Sequence, residues 1–278
     1  MLHDDRGTGS SSGQGLDYIW GNGTLANLGM GEVDKYDLTS ANAGVEYGAK
    51  DARGLAVFNV GISQKRYDRE LVAISRDNDS LNTLLGLRAR VMPKTVVLID
   101  YERTDTNYKS ALGAPDSLDN RLLVGVRWEN TAQTTGKLRL GQGKRETEGK
   151  KDISKFTWDL AATWKPLAFD TINIDGGART ADANDPYTAV ETTHLSVSWA
   201  HSWLERVNTV VSLGTSKDDY EGAPARSDDG MTYGLSTNYQ MRRWLVLSAG
   251  VNVNDRSSNV KTFETKRSVM SIGAQISL

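Results

Sequence analysis

Apolar and polar residues alternate along most of the chain, and the alternation is clearest between Ser154 and Thr180. One parity carries Phe156, Trp158, Leu160, Ala162 and Trp164, and the other carries Lys155, Thr157, Asp159, Ala161 and Thr163. Side chains of a strand point to opposite faces in turn, so this run predicts a strand with one apolar and one polar face. After a short connection at residues 165–169 the alternation resumes through Ile172 and Ile174, which predicts an amphipathic hairpin.

The same hairpin unit recurs through the chain. Short turns are predicted near positions 52, 93, 132, 167, 204 and 243, spaced by about 38 residues, and they alternate with longer polar loops. Each predicted strand has roughly ten residues, the length that a tilted strand needs to cross a bilayer. Thirteen strands are clear and a weaker one lies at residues 15–28. We therefore predict about 14 strands, or about 16 if an N-terminal hairpin lies outside this sequence.

These patterns favour an all-β fold, a transmembrane antiparallel up-and-down β-barrel, over a soluble β-sandwich or a soluble up-and-down barrel. Short turns on one side and longer loops on the other are typical of outer-membrane barrels. Five of the seven tryptophans lie near short turns, where interfacial aromatic residues are expected. These membrane-interface aromatics are Trp128, Trp164, Trp199, Trp203 and Trp244. The predicted location is the bacterial outer membrane, in contact with its lipid and lipopolysaccharide.

Composition agrees with a barrel and excludes several other classes. The chain has 278 residues, of which 38% are hydrophobic, and no run of 18 apolar residues that would make a transmembrane helix. A barrel explains the polar composition, because half of each strand faces water. The net charge of −2 gives no general attraction to nucleic acid. The absence of cysteine excludes disulfides and thiolate metal sites.

The first residues differ from the rest of the chain. Residues 1–15 are polar and lack the apolar stretch of a signal peptide, which an exported protein requires. We therefore expect either that this is a mature form or that the natural N-terminus is missing. Residues 1–14 are predicted to be a disordered polar lead, and residues 15–278 the outer-membrane barrel.

Several short motifs follow one another along the chain in an order that is typical of one protein family. They include Met92-Pro93-Lys94-Thr95, Gly125-Val126-Arg127-Trp128-Glu129-Asn130-Thr131-Ala132, Thr134-Thr135-Gly136-Lys137, Trp164-Lys165-Pro166, Trp199-Ala200-His201-Ser202-Trp203 and Arg243-Trp244-Leu245. From about residue 51 onwards the chain resembles the putative β-barrel porin 2 family, also called the exopolysaccharide-operon outer-membrane protein family. The resemblance implies a barrel, encoded with secreted-polysaccharide synthesis, that helps to pass polymer across the outer membrane.

The resemblance and the last strand also suggest partners. The final residues alternate as Met270, Ile272, Ala274, Ile276 and Leu278, like the C-terminal strand signal that barrel-assembly machinery reads, although such signals usually end in an aromatic residue. Periplasmic polysaccharide-export proteins and the polysaccharide itself are the other expected partners; nucleic acid is not.

Charged residues collect on the inward parity of neighbouring strands. The candidate lumen or substrate-path residues are Arg88, Arg90, Arg121, Arg127, Lys137, Arg139, Asp100 and Glu102. One hypothesis is a polar wall with a basic stripe that contacts an anionic or hydroxyl-rich polymer, since charged rings and stripes set the selectivity of pores. The other is that these charges pair across strands and fill a narrow lumen. The later strands place mostly Ser, Thr, Asn and Gly on their inward parity.

No catalytic set is predicted. The three histidines, His3, His194 and His201, do not single out a Ser/His/acid arrangement. The acidic loops lack the full ligand spacing of a calcium site, so neither a metal nor a cofactor is expected. The sequence thus predicts a non-enzymatic, porin-like protein assisting export of an extracellular or capsular polysaccharide. The alternatives are a scaffold barrel with a plugged lumen in a secretion complex, or a general diffusion porin.

Overall fold

Strands make up most of the structure. A computed structural model describes residues 2–18, 33–49, 53–110, 115–131, 133–183, 187, 189–222 and 224–277. The strands are β1 (Leu2–Tyr18), β2 (Val33–Ala49), β3 (Gly54–Tyr67), β4 (Asn78–Met92), β5 (Thr95–Tyr108), β6 (Ser117–Thr131), β7 (Thr134–Thr147), β8 (Ile153–Trp164), β9 (Asp170–Asp182), β10 (Ala189–Leu204), β11 (Val207–Glu221), β12 (Arg226–Arg242), β13 (Leu245–Ser258) and β14 (Thr265–Ile276). Helix α1 (Glu70–Arg76) follows β3, and a short 3-10 helix (Lys261–Phe263) follows β13.

The strands form one sheet in which each strand lies beside its successor in the chain, from β1 to β14. The pairing is antiparallel, as in β11 and β12, where Ser212 faces Gly234. Consecutive antiparallel neighbours are joined by hairpins and need no crossover connection. This is the antiparallel up-and-down order that the sequence predicts.

The chain divides into two compact units. Unit 1 comprises Met1–Val126, Arg139–Thr157 and Asp182–Thr188. Unit 2 comprises Arg127–Leu138, Trp158–Ala181 and Ala189–Leu278. Strands β6, β7 and β8 contribute residues to both units, as does β9 through its last residue, Asp182.

Large apolar side chains are exposed along one face of the strands in each unit. In unit 1 these include Phe58, Ile62, Leu85, Leu87, Ile99, Leu122 and Val124, and in unit 2 Leu195, Val197, Leu213, Met231, Tyr233, Leu235 and Ile272. They lie on the parity that the sequence assigns to lipid. A water-soluble protein rarely exposes so continuous an apolar surface, whereas a membrane barrel turns this face to the hydrocarbon. The opposite face is therefore the inner one.

Three short turns share one construction. Strands β4, β10 and β12 each skip one residue in their pairing just before the turn, between Arg90 and Met92, Ser202 and Leu204, and Gln240 and Arg242. The skipped residues are Val91, Trp203 and Met241, and all three are exposed. Such a bulge bends the strand and strengthens its twist locally. Each hairpin thus closes in the same way and places an extra apolar residue beside the turn.

The strands are longer than predicted. They contain between 12 residues, in β8, and 17 residues, in β12, where the sequence analysis expected about ten. The extension is on the long-loop side: β11 continues to Glu221 and β12 begins at Arg226, within a stretch predicted to be a loop. Backbone pairing needs no apolar alternation, so it continues where the side-chain pattern stops.

The first strand also differs from the prediction. Residues 2–14, expected to form a disordered lead, belong to β1, which pairs with β2 from Leu2 opposite Ala49 to Tyr18 opposite Val33. The segment is rich in Gly and Ser, so hydrophobic periodicity could not reveal a strand there. The rest of the weak strand predicted at 15–28, from residue 19 onwards, lies outside the described residues, as do the centres of the turns predicted near 52 and 132.

Glycine is required at one point of close backbone approach in unit 1. A Cβ atom on Gly141 of β7 would lie 1.8 Å from the carbonyl oxygen of Leu122 and 2.9 Å from Cα of Leu123. At Gly143, two residues further, the nearest atom would be 3.7 Å away, an ordinary contact. The two glycines therefore differ in how well a methyl group would fit.

Replacing Gly141 with alanine is expected to destabilise the barrel by about 1–3 kcal/mol or more, because the added methyl group overlaps backbone that cannot move alone. Gly143→Ala is the matched control and should unfold close to the wild type. Urea unfolding in lipid vesicles, followed by tryptophan fluorescence, measures both. Equal stability of the two variants would contradict the close approach.

The orientation of the apolar face is tested at Leu213, which lies in the middle of β11 and faces Val197. Leu213→Arg should cost about 2–4 kcal/mol, the penalty of an arginine at the bilayer midplane. The control is Ser196→Arg, on the neighbouring residue that points to the opposite, inner face. Equal losses of unfolding free energy in vesicles would mean that the two faces are wrongly assigned.

Candidate functional site

Five of the predicted lumen residues come together on the inner face of unit 1. They are Arg88, Asp100, Glu102, Arg121 and Arg139, here called the Asp100 network. They lie on β4, β5, β6 and β7, which are consecutive in the sheet. Each of these residues occupies an inward-facing position in the alternation of its own strand, and this places all five on one face.

Asp100 is the centre of this network. Its carboxylate pairs with Arg88 through one oxygen and accepts a hydrogen bond of 2.9 Å from Arg139 Nη1 through the other. The side chain of Asp100 is only 2% exposed and that of Arg139 11%. Burying a carboxylate costs its hydration free energy unless cations compensate for it, and two arginines do so here.

Glu102 extends the network along β5. It accepts 2.5 Å from Arg139 Nη1 and 2.9 Å from Arg121 Nη1. Arg121 also donates to Thr157 Oγ1 at 3.0 Å, which reaches β8. Each of the three arginines is thus bonded to a carboxylate, in the arrangement of the pairing hypothesis.

A glycine makes room for the Arg88 pair. Gly86 lies directly opposite Asp100 in the pairing of β4 and β5. A Cβ atom on Gly86 would lie 2.8 Å from both Arg88 Nη1 and Asp100 Oδ1. Arg88 therefore lies over a position that carries no side chain.

The other three predicted residues lie outside this network. Arg90 is exposed near the short turn of β4. In unit 2, Arg127 lies 3.3 Å from Glu129, and Lys137 lies 3.7 Å from Asp159. As contacts for a polymer, all eight residues stay predictions.

The inner face of β10–β14 is different in character. It carries Ser196, Ser198, Ser212, Asn238, Ser236, Ser248, Asn252 and Ser271, which are half-buried or exposed, with Gly214, Gly234, Gly250 and Gly273 among them. Ser212, Gly234 and Asn252 are successive neighbours across three strands. This wall is built of short neutral side chains with hydroxyl and amide groups.

A second charged cluster lies at the long-loop ends of β11, β12 and β13. Arg226 donates to Asp228 with its Nε at 3.0 Å and its Nη2 at 2.5 Å. Its guanidinium carbon lies 4.2 Å from the ring centroid of Tyr220 and 3.4 Å from that of Phe263. Arg256 also pairs with Asp228, which is buried.

Sequence reasoning missed this Arg226 cluster because its residues were assigned to polar loops. One signal could have found it: Asp218, Tyr220, Arg226, Asp228 and Arg256 keep the even numbering of the inner face of β11, β12 and β13 beyond the predicted strand ends. The cluster fastens the 3-10 helix, through Phe263, to the adjoining strands.

Comparison with known proteins agrees with this architecture. A model of the family described as "Putative beta-barrel porin 2" matches residues 22–278. The chain belongs to this family. The resemblance drawn from the sequence motifs is thereby confirmed. No curated protein matches the chain significantly.

Solved structures show the same fold as this porin 2 family member. The FrpB iron transporter of Neisseria meningitidis, F5-1 variant in the apoprotein form, matches with a TM-score of 0.55 at 13% identity over 90% of this chain and 48% of that one. Its F3-3 variant matches with a TM-score of 0.52 at 12% identity over 90% and 49%. The chain thus spans about half the length of these transporters. Family and fold together place the protein in the bacterial outer membrane as a porin-like barrel.

The predicted interface tryptophans lie beside the short turns of this porin-like barrel. Trp199 Nε1 donates to Asp170 Oδ1 at 2.8 Å, and His201 Nδ1 lies 2.7 Å from the same oxygen. The ring centroid of His201 is 4.2 Å from that of Trp203. Trp128 packs over Gly136, where a Cβ atom would lie 2.4 Å from its ring, while Trp164 and Trp244 are exposed.

The residues that the structure describes contain no group of three or more His, Cys, Asp or Glu side chains that could hold a metal ion. No helix among them is long and apolar enough to cross a membrane.

The Asp100 network predicts an unequal response to two similar substitutions. Asp100→Asn should lower the unfolding free energy by about 3–5 kcal/mol, because it leaves buried arginine charge without its carboxylate. The control, Asp105→Asn, removes a more exposed carboxylate 3.7 Å from Arg103 and should behave like the wild type. Unfolding in vesicles compares the variants, and a stable Asp100→Asn barrel would show that the network does not hold the strands together.

Proposed function

We propose that this porin-like protein assists the export of an extracellular or capsular polysaccharide across the outer membrane. The observation that carries the proposal is the inner wall of β10–β14, with its short hydroxyl and amide side chains. Sugars present many hydroxyl groups, each of which can donate and accept a hydrogen bond. Ser and Asn side chains can do both as well.

The geometry of this wall suits a moving polymer. Its groups already bond to one another, as Thr232 Oγ1 donates to Asn254 Oδ1 at 2.9 Å and Asn254 Nδ2 donates to Asn252 Oδ1 at 2.7 Å. A sugar hydroxyl can therefore exchange one neutral hydrogen bond for another at little net change in free energy. Glycines such as Gly234 keep the surface low, so that a bulky chain has few obstacles.

The partners of such a barrel belong to the proposal too. Periplasmic polysaccharide-export proteins would deliver the polymer at the short-turn side, and barrel-assembly machinery would insert the chain in the membrane. Outer-membrane lipid and lipopolysaccharide would contact the apolar face and the interface tryptophans.

A second candidate is a scaffold barrel with a plugged lumen in a secretion complex. The Asp100 network favours it, since paired charges together with the buried side chains of Leu98 and Leu123 fill the inner face in unit 1. A general diffusion porin is the third candidate, and the small neutral wall is compatible with it. Conductance separates the three.

The test is to record the ionic current through purified protein in a planar lipid bilayer and to add polysaccharide on one side. The proposal expects steady channels whose current long polysaccharide chains interrupt at lower sugar concentration than a disaccharide does. Open channels that polymer and disaccharide affect equally would support a diffusion porin. A correctly folded barrel without conductance would support the scaffold.

A further inference from the structure

A polar patch on the inner face of unit 2 is accessible to solvent, whereas the Asp100 network is largely buried. Thr163 Oγ1 donates to Asn173 Oδ1 at 2.9 Å, and Asn173 Nδ2 lies 3.5 Å from Ser198 Oγ. Asp175, two residues along β9 from Asn173, lies 3.3 Å from His194 Nε2. These contacts join β8, β9 and β10 on one face, here called the Asp175 patch.

Asp175 differs from Asp100 in exposure and in partners. Its side chain is 65% exposed, against 2% for Asp100. Its partner is a histidine that is itself half exposed, whereas Asp100 has two arginines. Asp100 is neutralised inside the wall, while the charge of Asp175 faces the water of the lumen.

The cations on this face do not cancel Asp175. Arg127 and Lys137 have carboxylate partners of their own, Glu129 and Asp159. The Cα atom of Arg179 lies four residues further along β9 than that of Asp175, a backbone separation of about 13 Å at the rise of an extended strand, longer than the Debye length in physiological salt. Asn173 is only about 7 Å from Asp175 on the same measure.

We infer that Asp175 gives the inner wall beside Asn173 and Ser198 a negative potential, so that the polymer handled by this barrel is an uncharged, hydroxyl-rich polysaccharide and not a polyanion. The choice of polymer rests on the proposed function, whereas the potential does not. The arginines of the Asp100 network offer no counter-attraction, since Arg88, Arg121 and Arg139 are each bonded to Asp100 or Glu102. The neutral wall of β10–β14 has the same preference.

The potential can be measured by cysteine labelling, which needs no transport. The chain has no cysteine of its own, so each introduced cysteine is labelled alone. Single cysteines are introduced as Asn173→Cys and Ser198→Cys, with Ser236→Cys on the inner face of β12 as the control. Each variant is treated with a cationic and an anionic methanethiosulfonate reagent, and the two labelling rates are expressed as a ratio. Only folded protein is analysed, and it is recognised because a folded barrel migrates differently in a gel before and after heating.

Relative to Ser236→Cys, the cationic-to-anionic ratio at positions 173 and 198 should be about two- to threefold higher, from one negative charge about 7 Å away in screened water. Adding Asp175→Asn should return the ratio to that of the control, and Asp175→Glu should preserve it. If the ratio equals that of the control while Asp175 is present, or if Asp175→Asn does not lower it, the negative potential assigned to Asp175 is overturned.

The polymer is tested in the planar bilayer with dextran and alginate chains of equal length. Block by dextran at lower concentration than by alginate, with the difference reduced by Asp175→Asn, is the expected result. Equal or stronger block by alginate overturns the uncharged polymer. Block by neither overturns the proposed function and the polymer with it, while the labelling ratio still decides the role of Asp175.

Discussion

The structure depends on one constraint: inside a bilayer, backbone N–H and C=O groups have no water to bond to and must pair with one another. A sheet in which each strand lies beside its successor meets this demand between neighbouring strands with hairpins alone. Once the strands are set, their side chains alternate between two solvents. The exposed leucines, such as Leu85 in unit 1 and Leu213 and Leu235 in unit 2, and the polar groups on the opposite face both follow from this alternation.

The same constraint governs how charge is accommodated on the inner face. A carboxylate there can be hydrated by the lumen, as Asp175 is, or enclosed by cations, as Asp100 is. Enclosure yields fixed geometry but removes the charge from solutes, because the ion pair satisfies itself. Hydration leaves the side chain mobile but keeps its field in the water. Charged residues on the inner face of the strands thus divide into those that are enclosed by counter-charges, as in unit 1, and those that stay exposed to water, as in unit 2.

Much of the fold could be predicted from the sequence, because alternation reports the two solvents directly. Phe156 to Trp164 alternate without a break, and they lie in β8; the short turns predicted near 93, 204 and 243 follow β4, β10 and β12. Where the pattern is absent, prediction fails: β1 is Gly- and Ser-rich, and helix α1 occupies a stretch that reads as polar loop. Parity placed Arg88, Asp100, Arg121 and Arg139 on one face, but it carries no information on distances across strands. Whether those charges pair depends on register, which sequence alone leaves open.

The two ends of the strands are under unequal constraint. At the short turns, the bulges at Val91, Trp203 and Met241 and the tryptophans beside them fix the register and the depth of each hairpin in the membrane. A change there shifts every residue of the hairpin along the bilayer normal. The long-loop ends lie beyond the apolar band, so strand extension and a feature such as the Arg226 cluster can be added without moving the rest. The membrane-crossing part of the inner wall, with Asp100 and Asp175, is therefore held from the short-turn side, and variation between relatives is expected to concentrate at the other.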